Sequence, residues 1–532
     1  RIFVQFKYKG QRLIAGDYNL ERPKNSYFVN YFRRLQGGQL FTDLKMGPGH
    51  LKTDASVAVS KGKFARMQFD GQEGNQGPYR LQGANGEAFV IVVAGTERVF
   101  IDGKLLTRGA DQDYTIDYNL GEITFTPKQL ITKDRRIQVE FSYTDLTFLR
   151  TLITANTQYE TDRFRMRFNF YSEQDEKGQT VTGSLSDSAR AVLRRIGDNT
   201  GQAFVSGIAI PDDPNADGTG SIFYELRDTV VNGIPYDSVL VYSNGPSAIY
   251  TARFSNLATG GNYIRSQTAA NGVVYQWVAP NPLTGRPTGT HEPVRLLDAP
   301  QQRQLYNIGG DVQLGRQGSL SADLALSQVD QNTFSDIGND NNQGIAARVT
   351  YQQQIPLGFV KDSTVGDSIR PQTQLKLNGH YEFLSETFAF VEPYRPREFA
   401  RDWNINSTQA TQEQLFKANA LLEDQRWGSV GYGISGLFRD STYSGLLHTL
   451  NANVRQGGFL LQSNSTLLFN QTNTYRTTFA RPRLDLSYRV ADWLNWRIGV
   501  YGEMEQNSQA DVNSDTLMGG SLFYNFFMAY SV

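Results

Sequence analysis

The sequence predicts an all-β fold: an antiparallel transmembrane β-barrel of the outer-membrane type, about 16–18 strands, carrying an inserted immunoglobulin-like β-module. Three observations predict it. First, in residues 163–173, RFRMRFNFYSE, the residues Phe164, Met166, Phe168 and Phe170 alternate with Arg163, Arg165, Arg167 and Asn169. Period-two alternation is the mark of a strand. One wholly apolar face opposite a cationic one suits hydrocarbon on one side and a wet lumen on the other. Second, the same alternation recurs along the chain. Third, the breaks between strands alternate between short turns and long loops, as they do in outer-membrane barrels.

Composition agrees. The 532 residues include 27 Tyr and 32 Phe against 5 Trp, 50 Gly and no Cys. The formal net charge of −1 suggests neither a nucleic-acid footprint nor a polyanionic tail. Mean hydropathy is −0.45. No apolar run reaches the roughly 18 residues of a membrane-spanning helix. That does not exclude a membrane, because barrels hide their apolar face in alternation. Without Cys there are no disulfides and no thiolate metal sites. The chain opens inside what reads as a strand, with neither Met nor signal peptide, so an upstream signal is expected.

Residues 1–70 read as N-terminal barrel strands, with turns at Lys9-Gly10-Gln11 and Gly47-Pro48-Gly49, and LKTDASVAVSKGKFARMQF as one long strand. Residues 71–146 read as the inserted module. Its strands are expected at AFVIVV, RVFIDG, DYTIDY, GEITFT and RRIQVEFSY, with a type I′ hairpin at Asp102-Gly103 and a turn at Asn119-Leu120-Gly121. Residues 147–173 form a barrel hairpin turning at Thr161-Asp162. Residues 174–303, rich in Gly, Asp, Asn and Pro, are too long for a plain loop and read as a surface insertion with some β-structure. Residues 304–532 return to barrel strands, ending on Leu522, Tyr524, Phe526, Met528 and Tyr530 on one face. With the last residue on the periplasmic side, the turns at 491–495, 457–458, 315–318 and 161–162 are periplasmic. Loops 508–515, 386–415, 331–341 and 174–303, and the module, are then extracellular. A long inner turn at 355–371 is the awkward case.

Candidate sites are few. Asp213, Asn215 and Asp217 followed by Gly218 fit the first half of a calcium loop, D-x-[DN]-x-[DN]-G. The closing acid should fall at Tyr224; Glu225 comes one residue late. The ordinary alternative is an Asx-rich surface turn. His50, His291, His380 and His448 are scattered without zinc spacing. Nucleophile-elbow, P-loop and dinucleotide motifs are absent, and a phospholipase-type site cannot be assembled from His448 and Ser487, so no enzymatic activity is expected. The lumen face is expected to carry Arg163, Arg165, Arg167, Lys376, His380, Glu382, Arg497 and Glu503, together with Arg348, Arg455, Arg483 and Arg489. These arginines either make a basic pore wall or pair with Asp323, Glu382, Asp485, Glu503 and Glu505 across a closed lumen, and the near-zero net charge favours pairing. Loop 386–415 gathers Arg395, Arg397, Glu398, Arg401, Asp402 and Trp403, and could constrict the lumen or cap the barrel.

The phrase GTERVFIDGKLLTRGADQDYTIDYNLGEITFT resembles a module of Bacteroidota outer-membrane and cell-surface proteins. Its DY-x-(I/V)-D-Y-x-x-G core is similar to phrases repeated in the translocon barrel of the type IX secretion system. That resemblance implies a Gram-negative outer membrane and a role beside surface-protein export or envelope assembly. It carries no catalytic residues. The expected function is a scaffold or accessory barrel, with lipid and lipopolysaccharide around it, a lipoprotein or another barrel as partner, and no nucleic acid. The alternative is a channel lined by the arginines above and gated by loop 386–415.

Overall fold

The computed structural model describes residues 2–531 except 61, 85, 86, 88, 145–147, 181–184, 212–221, 267–272, 363–367, 406–409, 492–495, 513 and 515. The described chain is all-β apart from a few short helices, and eighteen strands join in one large sheet. Two of them, Tyr475–Arg481 and Arg483–Ala491, lie end to end across Pro482. Both pair with Phe459–Thr472 on one side and Trp496–Asp511 on the other, in continuous register. Eighteen segments therefore occupy seventeen lanes. The missing N–H of Pro482 explains the break.

The lanes run up and down in chain order, antiparallel throughout. Phe3–Tyr8 pairs with Gln11–Glu21, then come Phe32–Met46, Gly49–Ser60 and Phe148–Glu160. Phe164–Thr180 pairs with Gln302–Leu314. From Gly318–Asp330 onward each strand pairs with the next as far as Leu517–Ser531. One end of this sheet has tight turns: Lys9-Gly10, Gly47-Pro48, 161–163, 315–317 and Gly457-Gly458. At the other end the chain leaves for residues 22–31, the module and loop 385–412.

The faces are inverted relative to a protein in water. Met166 is 59% exposed while its neighbour Arg167 is 4% exposed. Phe164 and Phe168 are likewise exposed, and Asn169 and Tyr171 buried. The pattern repeats at Ile308, Leu324, Val349, Tyr381, Phe438 and Phe469, all exposed, against buried Asp323, Glu382 and Asn470. Burying an apolar side chain of this size is worth about 1.5–3 kcal/mol. A row of them left outside while charges go inside reverses the arrangement expected of a protein folded in water.

Of the long turn expected at 355–371, residues 355–362 and 368–371 are strand. Gln343–Asp362 and Ser368–Leu384 stay paired up to Asp362↔Ser368, with the register slipping around Pro356 and Gly358. Such a bulge absorbs the proline and keeps the ladder going.

The module begins earlier than residue 71. The long strand expected through Lys63 is broken at Gly62, where a Cβ would meet Val93 and Ser142 side chains at 3.1 and 3.2 Å. Lys63–Asp70 then pairs with Arg136–Tyr143, which also pairs with Arg98–Ile101. A second sheet joins Tyr79–Arg80, Glu122–Phe125 and Tyr114–Asp117. One core of Val99, Ile101, Ile123, Phe125, Ile137, Val139 and Phe141 serves both sheets. Asp102 and Gly103 have φ of 49° and 79° between Ile101 and Lys104, as a type I′ turn requires. AFVIVV is not a strand. Val90 and Val92 enter the core, Phe89 is 81% exposed, and Val92 bridges to Tyr143 and donates its N–H to the Tyr118 carbonyl at 2.8 Å.

A second compact unit comprises residues 176–301 and 330–339. The expected insertion thus starts two residues later than 174 and takes in part of the loop read at 331–341. It contains small sheets and one helix the sequence reading missed, Asp187–Ile196. Ser186 caps that helix by accepting from the Ala189 N–H; Asp187 sits in the first turn and Arg194 and Arg195 in the last. Those are ordinary helix signals. Inside the unit Asn332 Nδ2 donates to the Leu193 and Gly197 carbonyls at 2.7 and 2.8 Å, closing the helix C-terminus.

The inner strap and its ion pairs as candidate functional site

Two segments that leave the large sheet fold back over its polar face. Residues 22–31 follow the second lane, yet Ser26 Oγ donates to Asn307 Oδ1 at 3.0 Å and Tyr27 Oη to Glu382 Oε2 at 2.7 Å. Those partners stand on lanes far from it in the ladder, so the segment crosses the interior. Phe28, Val29 and Tyr31 pack there with Tyr18, Leu152, Tyr171, Leu305 and Val391.

Residues 386–405 make the second crossing, a strap with three sets of bonds. Toward one wall, Arg395 donates to Glu382 Oε1 at 3.0 and 2.6 Å and also to Glu413, and Tyr394 Oη donates to the same Glu382 oxygen at 2.8 Å. Toward strands further along the chain, Arg481 Nη1 donates to Asp402 at 2.6 Å, Arg401 pairs with Glu505, and Tyr443 Oη donates to the Trp403 carbonyl. Toward the module, Arg397 Nη2 donates to Glu140 at 2.8 Å, Arg136 Nη2 to Glu398 at 2.9 Å, and Arg98 Nη2 to Glu392 at 2.9 Å. The Arg397 guanidinium also lies 5.0 Å from the Phe100 ring centroid. Glu392, fully buried, accepts from Arg33 as well. The strap therefore ties two walls of the sheet and the module together.

Burial pushes the Glu140 carboxyl up, while Arg397, Arg98 and Arg66 pull it back down. Charges this deep are retained only when paired and hydrogen-bonded.

The expected lumen residues fall out as follows. Arg167 is buried between Asp311 and Asp323, at 2.6 and 2.8 Å. Arg165 reaches Asp311 and Glu160 at 3.3 and 3.5 Å. Lys376 meets Glu423 at 2.5 Å. Arg348 lies 3.8 Å from the Tyr27 ring centroid and donates to His380 Nδ1 at 3.2 Å, and His380 Nε2 is 3.5 Å from Glu382. Glu503 accepts from Tyr501 Oη at 2.8 Å, and Arg483 stacks over the Tyr501 ring. Arg163 is not a wall residue: it sits exposed in the turn before Phe164. Arg455 and Arg489 are exposed beside the Gly457-Gly458 turn. The Arg497 side chain lies outside what the structure describes. So do Asp213, Asn215 and Asp217 of the expected calcium loop; Glu225, its fourth member, pairs with Arg227. Among the described residues no three His, Asp or Glu side chains converge as metal ligands.

Sequence reasoning found the strap's charged cluster and named Glu382 and Glu505 among the pairing acids, but missed the other partners. Tyr27, Arg33, Arg98, Glu140 and Glu392 carry no local signal, because each acquires its role through contacts distant in sequence. Toward the short-turn end a polar cavity of about 740 Å³ lies beside residues 22–25 of the first crossing, lined also by Arg12, Tyr18, Gln39, Asp54, Asn156 and Asn169.

The family described as "Domain of unknown function (DUF8818)" matches residues 64–145, which is the module with its redrawn first strand. No curated protein matches the chain. Among solved structures, OccAB2 of Acinetobacter baumannii aligns over 98% of this chain and 97% of its own, at 9% identity and a TM-score of 0.24. The translocation pore of the P pilus usher PapC aligns over 98% and 84%, at 10% identity and a TM-score of 0.19. Scores this low carry no argument about function.

Proposed function

We propose that the chain is a non-enzymatic integral β-barrel of a Gram-negative outer membrane, acting as scaffold or accessory subunit of an envelope or surface-protein export complex. The module is read as an immunoglobulin-like sandwich that serves as the docking surface, for a lipoprotein or another barrel. The observation that carries this reading is the strap. Charges that would line an open path are instead paired with one another, and the segment 386–405 is bonded to both walls and to the module at once. A barrel held shut in this way, with a module fastened to its closure, suits assembly better than free diffusion. The exposed apolar face supports the membrane placement.

The channel reading keeps one specific support, the polar cavity beside residues 22–25. The two readings separate in one experiment. The protein is purified in mild detergent from its native membrane, its companions are identified by mass spectrometry, and it is tested in planar bilayers. The scaffold reading expects stable companions that are lost when residues 64–144 are deleted, and negligible conductance until 386–405 is removed. A solitary monomer that conducts with the strap intact would overturn it.

A further inference from the structure

We infer that the polar cavity beside residues 22–25 is a binding site for a small zwitterion of the amino-acid and short-peptide class, with Arg12 holding its carboxylate and Asp54 its ammonium group. Such a site needs neither an open lumen nor a protein partner, so it stands or falls apart from the scaffold reading.

The strand register builds the site. Arg12 lies opposite Phe41, Phe41 opposite Asp54, and Asp54 opposite Asn156. Directly opposed residues share a face of a sheet. These four therefore stand in one row across four neighbouring strands, and all four line the cavity. Neighbouring strands lie about 4.8 Å apart, which sets the Arg12 and Asp54 backbones about 10 Å from each other. The row offers a cation, an aromatic ring, a carboxylate and an amide, in that order.

The polar groups of the row are incompletely engaged. Other arginines of this face are paired with acids, Arg165 with Asp311 and Glu160, and Arg167 with Asp311 and Asp323. Arg12 has neither hydrogen bond nor ion pair among the described residues. Its Nε is buried without a partner there, and its guanidinium lies 5.6 Å from the Phe41 ring centroid. Asn156 is held by its Nδ2, which donates to Tyr31 Oη at 3.2 Å, while its Oδ1 is buried with no donor among the described residues. Asp54 accepts from Gln39 Nε2 at 3.0 Å on each oxygen. A carboxylate has about four acceptor sites, so it can accept more. One end of the row is thus a donor with positive charge, and the other a pair of acceptors with negative charge.

That pattern selects the ligand. A simple anion on Arg12 would bring its charge toward Asp54, and a simple cation on Asp54 would bring its charge toward Arg12. A neutral polyol would supply neither charge with a counter-ion. A zwitterion satisfies both ends, with its body against Phe41. The cavity volume, about 740 Å³, is that of a small-molecule site.

The test is calorimetric titration of the full chain in detergent. The probes are alanyl-alanine, its N-acetyl form, its C-terminal amide, the doubly capped form, and maltose. The free dipeptide should bind about tenfold or more tighter than any other probe, because each end is a charge-assisted hydrogen bond. Arg12→Gln should erase the preference for free carboxylate over amide and keep that for free amine over acetyl. Asp54→Asn should do the reverse. A merely structural role would lower all probes alike. Heat-modifiable migration reports whether each variant has folded, and the titrations of the parent decide alone where one has not. Equal binding of the peptide forms, tighter binding of maltose than of the dipeptide, no binding of any probe, or an equal loss across the probes in both variants would overturn the site.

Discussion

Arg397 on the strap donates to Glu140 in the module at 2.8 Å, across 257 residues of sequence. Burial raises the Glu140 carboxyl above its ordinary value near 4.5, and Arg397 opposes that rise. A carboxyl whose folded pKa is raised contributes most to the folded state when protonated. Its contribution is full below the unfolded value and is lost as pH climbs through the raised one. In Arg397→Ala one opposing charge is gone, so the carboxyl rises further and the window widens upward. Hydrogen exchange of residues 136–143 as a function of pH checks this. Protection should decline over a window above 4.5 in the parent and extend to higher pH in the variant. Superimposable profiles would mean that the guanidinium does not act on this carboxyl.

Glu382 gathers more of the strap than any other wall residue named above, accepting from Tyr27, Tyr394 and Arg395. Glu382→Leu leaves Arg395 without that partner in a buried place. Breaking a buried pair by removing one member costs about 3–5 kcal/mol. The expected outcomes are a lower urea midpoint in detergent and faster protease cleavage within 386–405. Unchanged cleavage would show that the strap is held without this carboxylate.

The two faces of the sheet give opposite outcomes to one substitution type. Phe168→Arg places a charge on the exposed apolar face, at a cost of about 2–4 kcal/mol at mid-membrane depth and less toward the interfaces. Gln158→Arg, on the preceding strand beside Glu160 and lining the 740 Å³ cavity, adds a charge to a face already polar. Assembly into the membrane, read by heat-modifiable gel migration, should fall for Phe168→Arg and hold for Gln158→Arg. Equal loss in both would count against lipid on the apolar side.

How much of this was legible in the sequence depends on the range of the signal. Alternation along 163–173 is local, and it placed Arg167 and Phe168 on opposite faces. The short turns were legible because glycine and proline punctuate them. The Lys63 boundary was not, since the alternation runs on through it and the change of sheet is set by Arg136–Tyr143, a partner distant in sequence. AFVIVV has strand composition, yet its described backbone is divided between a single bridge at Tyr143 and the Tyr118 carbonyl instead of running along one ladder. The strap was visible as a charge cluster, but its meaning lies in Glu140 and Glu382, whose own surroundings in sequence are unremarkable alternating strands. The helix Asp187–Ile196 was legible, by its Ser186 cap and its basic last turn, and was missed because the segment was read by its glycines and prolines.

Gly344 isolates the strap from its charges. A Cβ there would meet the Phe388 nitrogen and Cα at 2.3 Å, both backbone atoms that cannot rotate away. Gly379, on the next strand, would meet nothing within 4 Å. Gly344→Ala must therefore push the start of the strap off the wall, while Gly379→Ala adds a methyl into open space. The strand itself should survive in both, because alanine is tolerated in strands at a cost well under 1 kcal/mol. Limited proteolysis between residues 386 and 405 should quicken in Gly344→Ala alone, with the sheet's heat-modifiable migration preserved. Bilayer conductance adds the functional reading. If the strap is the closure, Gly344→Ala should show openings that the parent and Gly379→Ala lack. Quickened cleavage without openings would leave the strap as a structural tie and remove it from any gating role.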